Sequence, residues 1–208
     1  MKYSLFFYLI FKWKIRKVID KNYWKEMTDF VMKNLKKEYK KICNKTFNIW
    51  KWNPLGYNMQ FALLFITPYI ISEKKIKPIH IKEMMEKSLD SVSLFFKLFN
   101  LNSKRDQKIF TSIIRMYNKR YTKDREKKYP KSFKIDYEWI PYEGACYYRI
   151  TRCPICEYAK QLWAIEVMSY LCWLDDLMIK YQHWVLHRKW TISNWDKVCD
   201  YYITWDKE

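Results

Sequence analysis

Through residues 3–19 and 23–42 apolar side chains recur at three- and four-residue spacing among lysines, which predicts two amphipathic helices. Residues 57–71 are nearly all apolar behind Asn53-Pro54-Leu55-Gly56 and predict a buried helix. Residues 80–99 bring Met84, Met85, Leu89, Val92, Phe95, Phe96 and Phe99 onto or near one stripe, the core-facing side of another helix. Ser103 caps a helix over roughly 104–127, and Pro130 closes the segment.

Beyond Pro130 the period falls to two. Phe133, Ile135, Tyr137 and Trp139 alternate within 132–140, Pro141-Tyr142-Glu143-Gly144 reads as a turn, and 145–152 alternates again, predicting a hairpin. Pro154 takes the first position of a helix running to roughly Tyr181, with an interruption near Ser169. Two further strand-like stretches follow, 184–192 and 198–205. The order predicts an α+β fold, with N-terminal helices packed with a small antiparallel β-sheet formed by the C-terminal part. On this reading 1–130 is a helical, basic segment, 131–208 is a ββαββ cysteine-rich segment, and the 208 residues make one compact domain.

Charge sharpens the division. The chain has 40 Lys and Arg against 22 Asp and Glu, a net +18, yet 131–208 holds 10 basic and 11 acidic residues. All of the excess lies in the first 130 residues, mostly as Lys among Ile, Asn and Tyr, the signature of an AT-rich genome. No DNA- or RNA-binding motif accompanies it, so the expectation is a solvated lysine surface rather than a nucleic-acid interface. The two glycines, Gly56 and Gly144, stand too far apart for a phosphate-binding loop or a dinucleotide fingerprint.

Residues 4–11 are apolar, but Trp13-Lys14-Ile15-Arg16-Lys17 follows without small residues for cleavage. Residues 61–71 are too short to span a bilayer and contain Pro68. The expectation is a cytoplasmic protein without a membrane span, its six cysteines reduced.

Chemistry concentrates near the C-terminus. Cys153 stands at a predicted helix start, where unpaired N–H groups and neighbouring Arg152 favour a thiolate. Cys172 shares a helix face with Asp175 and Asp176, three and four residues on, so a thiol and carboxylates meet in an apolar stretch. Such a set offers a nucleophile with a proton-handling partner, or a carboxylate paired with a nearby cation. His80, His183 and His187 read as structural or exposed, since eleven residues of helix from Cys172 to His183 rise about 16 Å. A metal site can alternatively be drawn from Cys153, Cys156, Cys172 and Cys199, although only one pair has knuckle spacing.

In combination these pieces resemble the L-2-amino-thiazoline-4-carboxylic acid hydrolase family. The matching residues are Cys153-Pro154, Cys172 with Asp175, Arg188 with Thr191, and the closing Cys199-Asp200-Tyr201. Upstream, Asn53-Pro54-Leu55 with Asn58 resembles the family's Asn-containing segment, so the likeness covers roughly residues 45–205. Two positions depart from the pattern: Trp50-Lys51 replaces a Gly-Gly, and Trp195 replaces the glycine of the last turn. The resemblance implies ring opening of a small cyclic amidine or thiazoline, with Cys172 or Cys153 attacking C2 and Asp175 holding the amidinium. It further implies that Arg188 clamps the substrate carboxylate and that Asn58 contributes to substrate binding. No cofactor is required; zinc or iron belongs to the alternative. The C-terminal half is also similar to vinyl-reductase-type ligand-binding domains, which implies small-molecule or metal binding without turnover.

Overall fold

A computed structural model describes residues 1–49, 53, 55–120, 123–138 and 145–206. They fall into two compact units whose limits do not follow the change of charge at residue 131. One unit takes residues 1–48, 55–91 and 154–171, and the other takes 49–54, 92–153 and 172–208.

The first unit is helical. Helices α1 (Leu5–Asn22), α2 (Lys25–Lys45), α3 (Gly56–Ile71) and α4 (Pro78–Asp90) pack together, and α8 (Pro154–Gln161) joins them. Ile15, Val18 and Ile19 of α1, Val31 and Leu35 of α2, and Met84 and Met85 of α4 are fully buried. Residues 62–69 of α3 are buried on every side, which accounts for that helix's lack of a polar face. Glu83 of α4 receives Lys21 at 3.0 Å and Lys87 at 2.8 Å, together with the Asn22 amide at 3.2 Å. The expected helix over 80–99 ends early. Ser88 Oγ donates to the Met84 carbonyl and Ser91 Oγ to the Ser88 carbonyl, each at 2.7 Å. These side chains compete with the helical ladder, and α4 stops at Asp90.

The second unit holds α5 (Ser93–Lys97), α6 (Lys104–Arg120), α7 (Lys123–Lys128) and a four-stranded sheet. Its strands are β1 (Lys134–Glu138), β2 (Ala145–Arg152), β3 (Trp184–His187) and β4 (Cys199–Trp205). They are antiparallel throughout, in the order β1-β2-β4-β3, so the fold is α+β as expected. Across β2 and β4, Cys146 faces Ile203, Tyr148 faces Tyr201, and Ile150 faces Cys199. Period-two alternation puts these six on one face, where Leu101, Trp184 and Phe110 complete the core. The predicted turn 141–144, with Trp139 and Ile140, lies outside the described residues, as do Trp50 and Lys51.

Helix α9 (Met168–Tyr181) crosses from one unit into the other, entering the second at Cys172. The break expected near Ser169 falls earlier, over 162–164, where Trp163 adopts a left-handed φ of 53°. The Ala164 N–H donates to the Ala159 carbonyl at 2.9 Å and the Trp163 N–H to the Lys160 carbonyl at 3.0 Å, closing α8 as a Schellman cap. No helix among the described residues is long and apolar enough to cross a membrane.

Candidate functional site

The strand expected over 184–192 stops at His187, and the reason builds the site. The backbone N–H groups of Lys189 and Trp190 donate to the buried Asp200 carboxylate, at 3.1 and 2.7 Å to Oδ1, instead of extending a ladder. Thr191 N–H donates to Asp196 at 2.8 Å, and Ile192 N–H to the Cys199 sulfur at 3.2 Å. The two aspartates thus fold 188–196 back, and Arg188 is delivered to α9.

There the Arg188 guanidinium is almost fully engaged. Nη1 donates to Asp175 Oδ2 at 3.0 Å, and Nη2 donates to Asp176 Oδ2 at 2.9 Å and to the Cys172 carbonyl at 2.6 Å. The Tyr201 hydroxyl donates to Asp175 Oδ2 at 2.7 Å. The guanidinium carbon also lies 5.3 Å from the Tyr201 ring centroid, and Tyr148 stacks on that ring at 4.7 Å and 8°. Arg188 is 9% exposed, whereas Asp175 and Asp176 are 35% and 41% exposed, so the carboxylates form the accessible edge.

One cation between two carboxylates leaves the cluster with a net negative charge. Burial works against the charge on Arg188, but Asp175, Tyr201 and Asp176 outweigh it and hold the guanidinium protonated. Burial raises the Asp175 pKa above the ordinary carboxylate value, with Arg188 and the Tyr201 hydrogen bond opposing. Asp176 is raised by burial too. The Cys172 thiol is pushed up to about 12, first by burial and then by the charge of Asp175, while a hydrogen bond with Ser193 pulls the other way. Burial and the neighbouring carboxylate thus favour the neutral thiol of Cys172 in the resting site.

The structure brings Cys172, Asp175 and Arg188 together with Asp176 and Tyr201 in the second unit. Cys153 lies between the end of β2 at Arg152 and Pro154, the first residue of α8, and is half-buried. Asn58 lies in the first turn of α3, in the first unit, and is exposed. Of the alternative metal set, Cys156 and Cys199 are buried, and no group of three or more His, Cys, Asp or Glu among the described residues is arranged to hold an ion. His183 lies 3.3 Å from Asp206, His187 pairs with Thr204 at 2.9 Å, and His80 pairs with Tyr23 at 2.6 Å. Sequence reading missed Tyr148 and Ser193. The alternation of Cys146, Tyr148 and Ile150 puts Tyr148 on the core face, but only the register with β4 sets it over Tyr201.

The sequence profile of the L-2-amino-thiazoline-4-carboxylic acid hydrolase family matches residues 57–203. This chain belongs to that family. The matched span contains Asn58, Cys153, Cys172, Asp175, Arg188 and Tyr201, while α1 and α2 precede it. No curated protein and no solved structure matches the chain.

Proposed function

We propose that this protein is a hydrolase that opens a small cyclic amidine, with 2-amino-thiazoline-4-carboxylate as the reference substrate. The observation that carries the reading is the net-negative Asp175–Arg188–Asp176 cluster with the Cys172 thiol beside it. A protonated amidine docks against the open edge of the two carboxylates. Its positive charge lowers the cost of forming the Cys172 thiolate, so the nucleophile is activated by the substrate itself.

The thiol proton passes to Asp175, and Cys172 Sγ forms a bond to C2. The C2–S bond of the ring breaks, its electron pair goes to the ring sulfur, and Asp175 returns the proton there. Water then adds at the same carbon; one of its protons passes through Asp175 to the Cys172 sulfur as the bond from that sulfur to C2 breaks, and a second is released as the cationic intermediate becomes a neutral urea. The sum is one water consumed, giving an N-carbamoyl-cysteine-type product. Arg188 acts here through the carboxylates it orients. With four of its five N–H groups committed, to Asp175, Tyr201, Asp176 and the Cys172 carbonyl, a bidentate clamp on a substrate carboxylate requires one of these bonds to open. No step draws on a metal or cofactor.

Reduced protein incubated with 2-amino-thiazoline-4-carboxylate should convert it to a species heavier by one water and bearing a new titratable thiol, read by mass spectrometry. Cys172→Ser should lower the rate by about a thousandfold or more with the fold intact. Unchanged substrate would overturn the reading. The neutral Cys172 thiol supports a second one, a domain that binds the amidine without turnover, and stoichiometric binding with no product would establish it.

A further inference from the structure

Helix α1 is apolar on two sides. Phe11, Ile15, Val18 and Ile19 enter the core of the first unit. On the other side Leu5, Phe6, Leu9 and Trp13 are 46%, 66%, 50% and 59% exposed. Positions 5, 9 and 13 repeat every four residues, and Phe6 lies beside them, so the four make one outward stripe along the first turns. The same side becomes polar further on, with Arg16, Lys17 and Asp20. A helix end that is apolar all round is the mark of an element covered on both sides.

The surroundings say by what. Lys12 Nζ lies 5.3 Å from the Trp13 ring centroid and 5.7 Å from that of Tyr8, and Lys36 of α2 lies 5.9 Å from Tyr8. Lys14 and Lys17 flank the opposite edge of the stripe. Arg16 draws Asp20 and Asp29 to itself at 3.4 and 3.2 Å, leaving the lysines to set the local charge. Residues 1–45 carry thirteen Lys and Arg against four Asp and Glu. A second copy of this chain is a poor occupant, because a two-fold pairing would set the same lysines against one another. An anionic bilayer surface satisfies both features: apolar side chains enter the acyl boundary, and flanking lysines reach up to the headgroups.

We infer that the outward face of α1 is a peripheral membrane-docking surface for anionic lipid, with Phe6, Leu9 and Trp13 as the inserted side chains and Lys12, Lys14 and Lys17 as headgroup contacts. This is contact with one leaflet, independent of the reaction assigned to the second unit.

The full chain should be floated with vesicles of phosphatidylcholine containing roughly one-third phosphatidylserine, and with pure phosphatidylcholine vesicles. The expected result is recovery with the anionic vesicles, at least about tenfold weaker partition onto the neutral ones, and a decline with salt. Phe6→Ser with Trp13→Ser should cut partition by about tenfold or more, as should Lys12→Glu with Lys14→Glu and Lys17→Glu. Circular dichroism and the melting temperature of each variant should match the parent, because the altered side chains lie outside the core. Failure to float with anionic vesicles at low salt overturns the inference, as does undiminished partition of the Ser variant. A dimer in solution that the Ser variant abolishes would overturn it too and assign the face to a second copy.

Discussion

The Tyr201 hydroxyl donates to Asp175 at 2.7 Å, on the same Oδ2 that Arg188 reaches at 3.0 Å, so one carboxylate oxygen takes both bonds. Removing the phenol oxygen alone should leave the ring stack with Tyr148 in place. Tyr201→Phe is expected to keep the fold and to slow amidine hydrolysis by roughly ten- to a hundredfold. The hydrogen bond lowers the Asp175 pKa, so its loss lets that pKa rise further. The acid limb of the kcat/KM profile should therefore move to higher pH, which a merely structural role for Tyr201 would not produce.

A thiol whose pKa is about 12 in place of the ordinary 9.0 has roughly a thousandth of the usual thiolate at neutral pH. Alkylation of Cys172 by iodoacetamide at pH 7.5, followed by peptide mass spectrometry, should be slower than that of free cysteine by about that factor. A bound amidinium that does not cover the sulfur should speed it up. Labelling as fast as free cysteine would show that Cys172 is already activated in the empty site.

Glu83 ties α1 to α4, and Lys87 first, with Lys21 and Asn22, holds its pKa down to about 2 against burial. A depressed carboxylate pKa contributes stability above the unfolded value near 4.5 and loses it as pH falls toward 2. Glu83→Gln should remove that pH dependence and cost about 1–2 kcal/mol at neutral pH, after allowance for solvent screening. Urea titrations of parent and variant at pH 7 and pH 3 would test this, with the gap between the two expected to narrow by roughly half at the lower pH without closing.

Trp163 ends α8 at the left-handed position of a Schellman cap and is 79% exposed. A side chain with a Cβ is strained there, and glycine is not. Trp163→Gly is expected to stabilise the protein by about 0.5–1 kcal/mol, seen as a rise in Tm of a few degrees.

Much of this architecture is legible in the chain because burial imposes a period. Leu35, Met84 and Met85 fall on stripes that any helix reading finds, and Cys146, Tyr148 and Ile150 alternate as a half-buried strand must. Local boundaries were hidden where a side chain takes over a backbone role. Ser88 and Ser91 end α4, and Asp200 captures the N–H groups that would have prolonged β3. At the candidate site, helical spacing places Cys172 and Asp175 on one face, but spacing does not show where Arg188 points. It turns to the chain's own carboxylates, which follows from the fold-back of 188–196 and from no motif.

Five non-glycine residues among those described stand at left-handed φ: Glu73, Lys74, Trp163, His183 and Trp195. Trp195, at φ 69°, occupies the turn where the resemblance expects glycine. Every glycine codon begins with two guanines, so a genome drifting toward A and T loses glycine faster than it loses lysine or asparagine. Mutational pressure on the nucleotide level then surfaces as backbone strain at turns, each residue adding about 1 kcal/mol that a packed interior must offset. The density of tryptophan, tyrosine and phenylalanine in this chain is, on that view, the ballast that lets it keep its bends without the residue best suited to them.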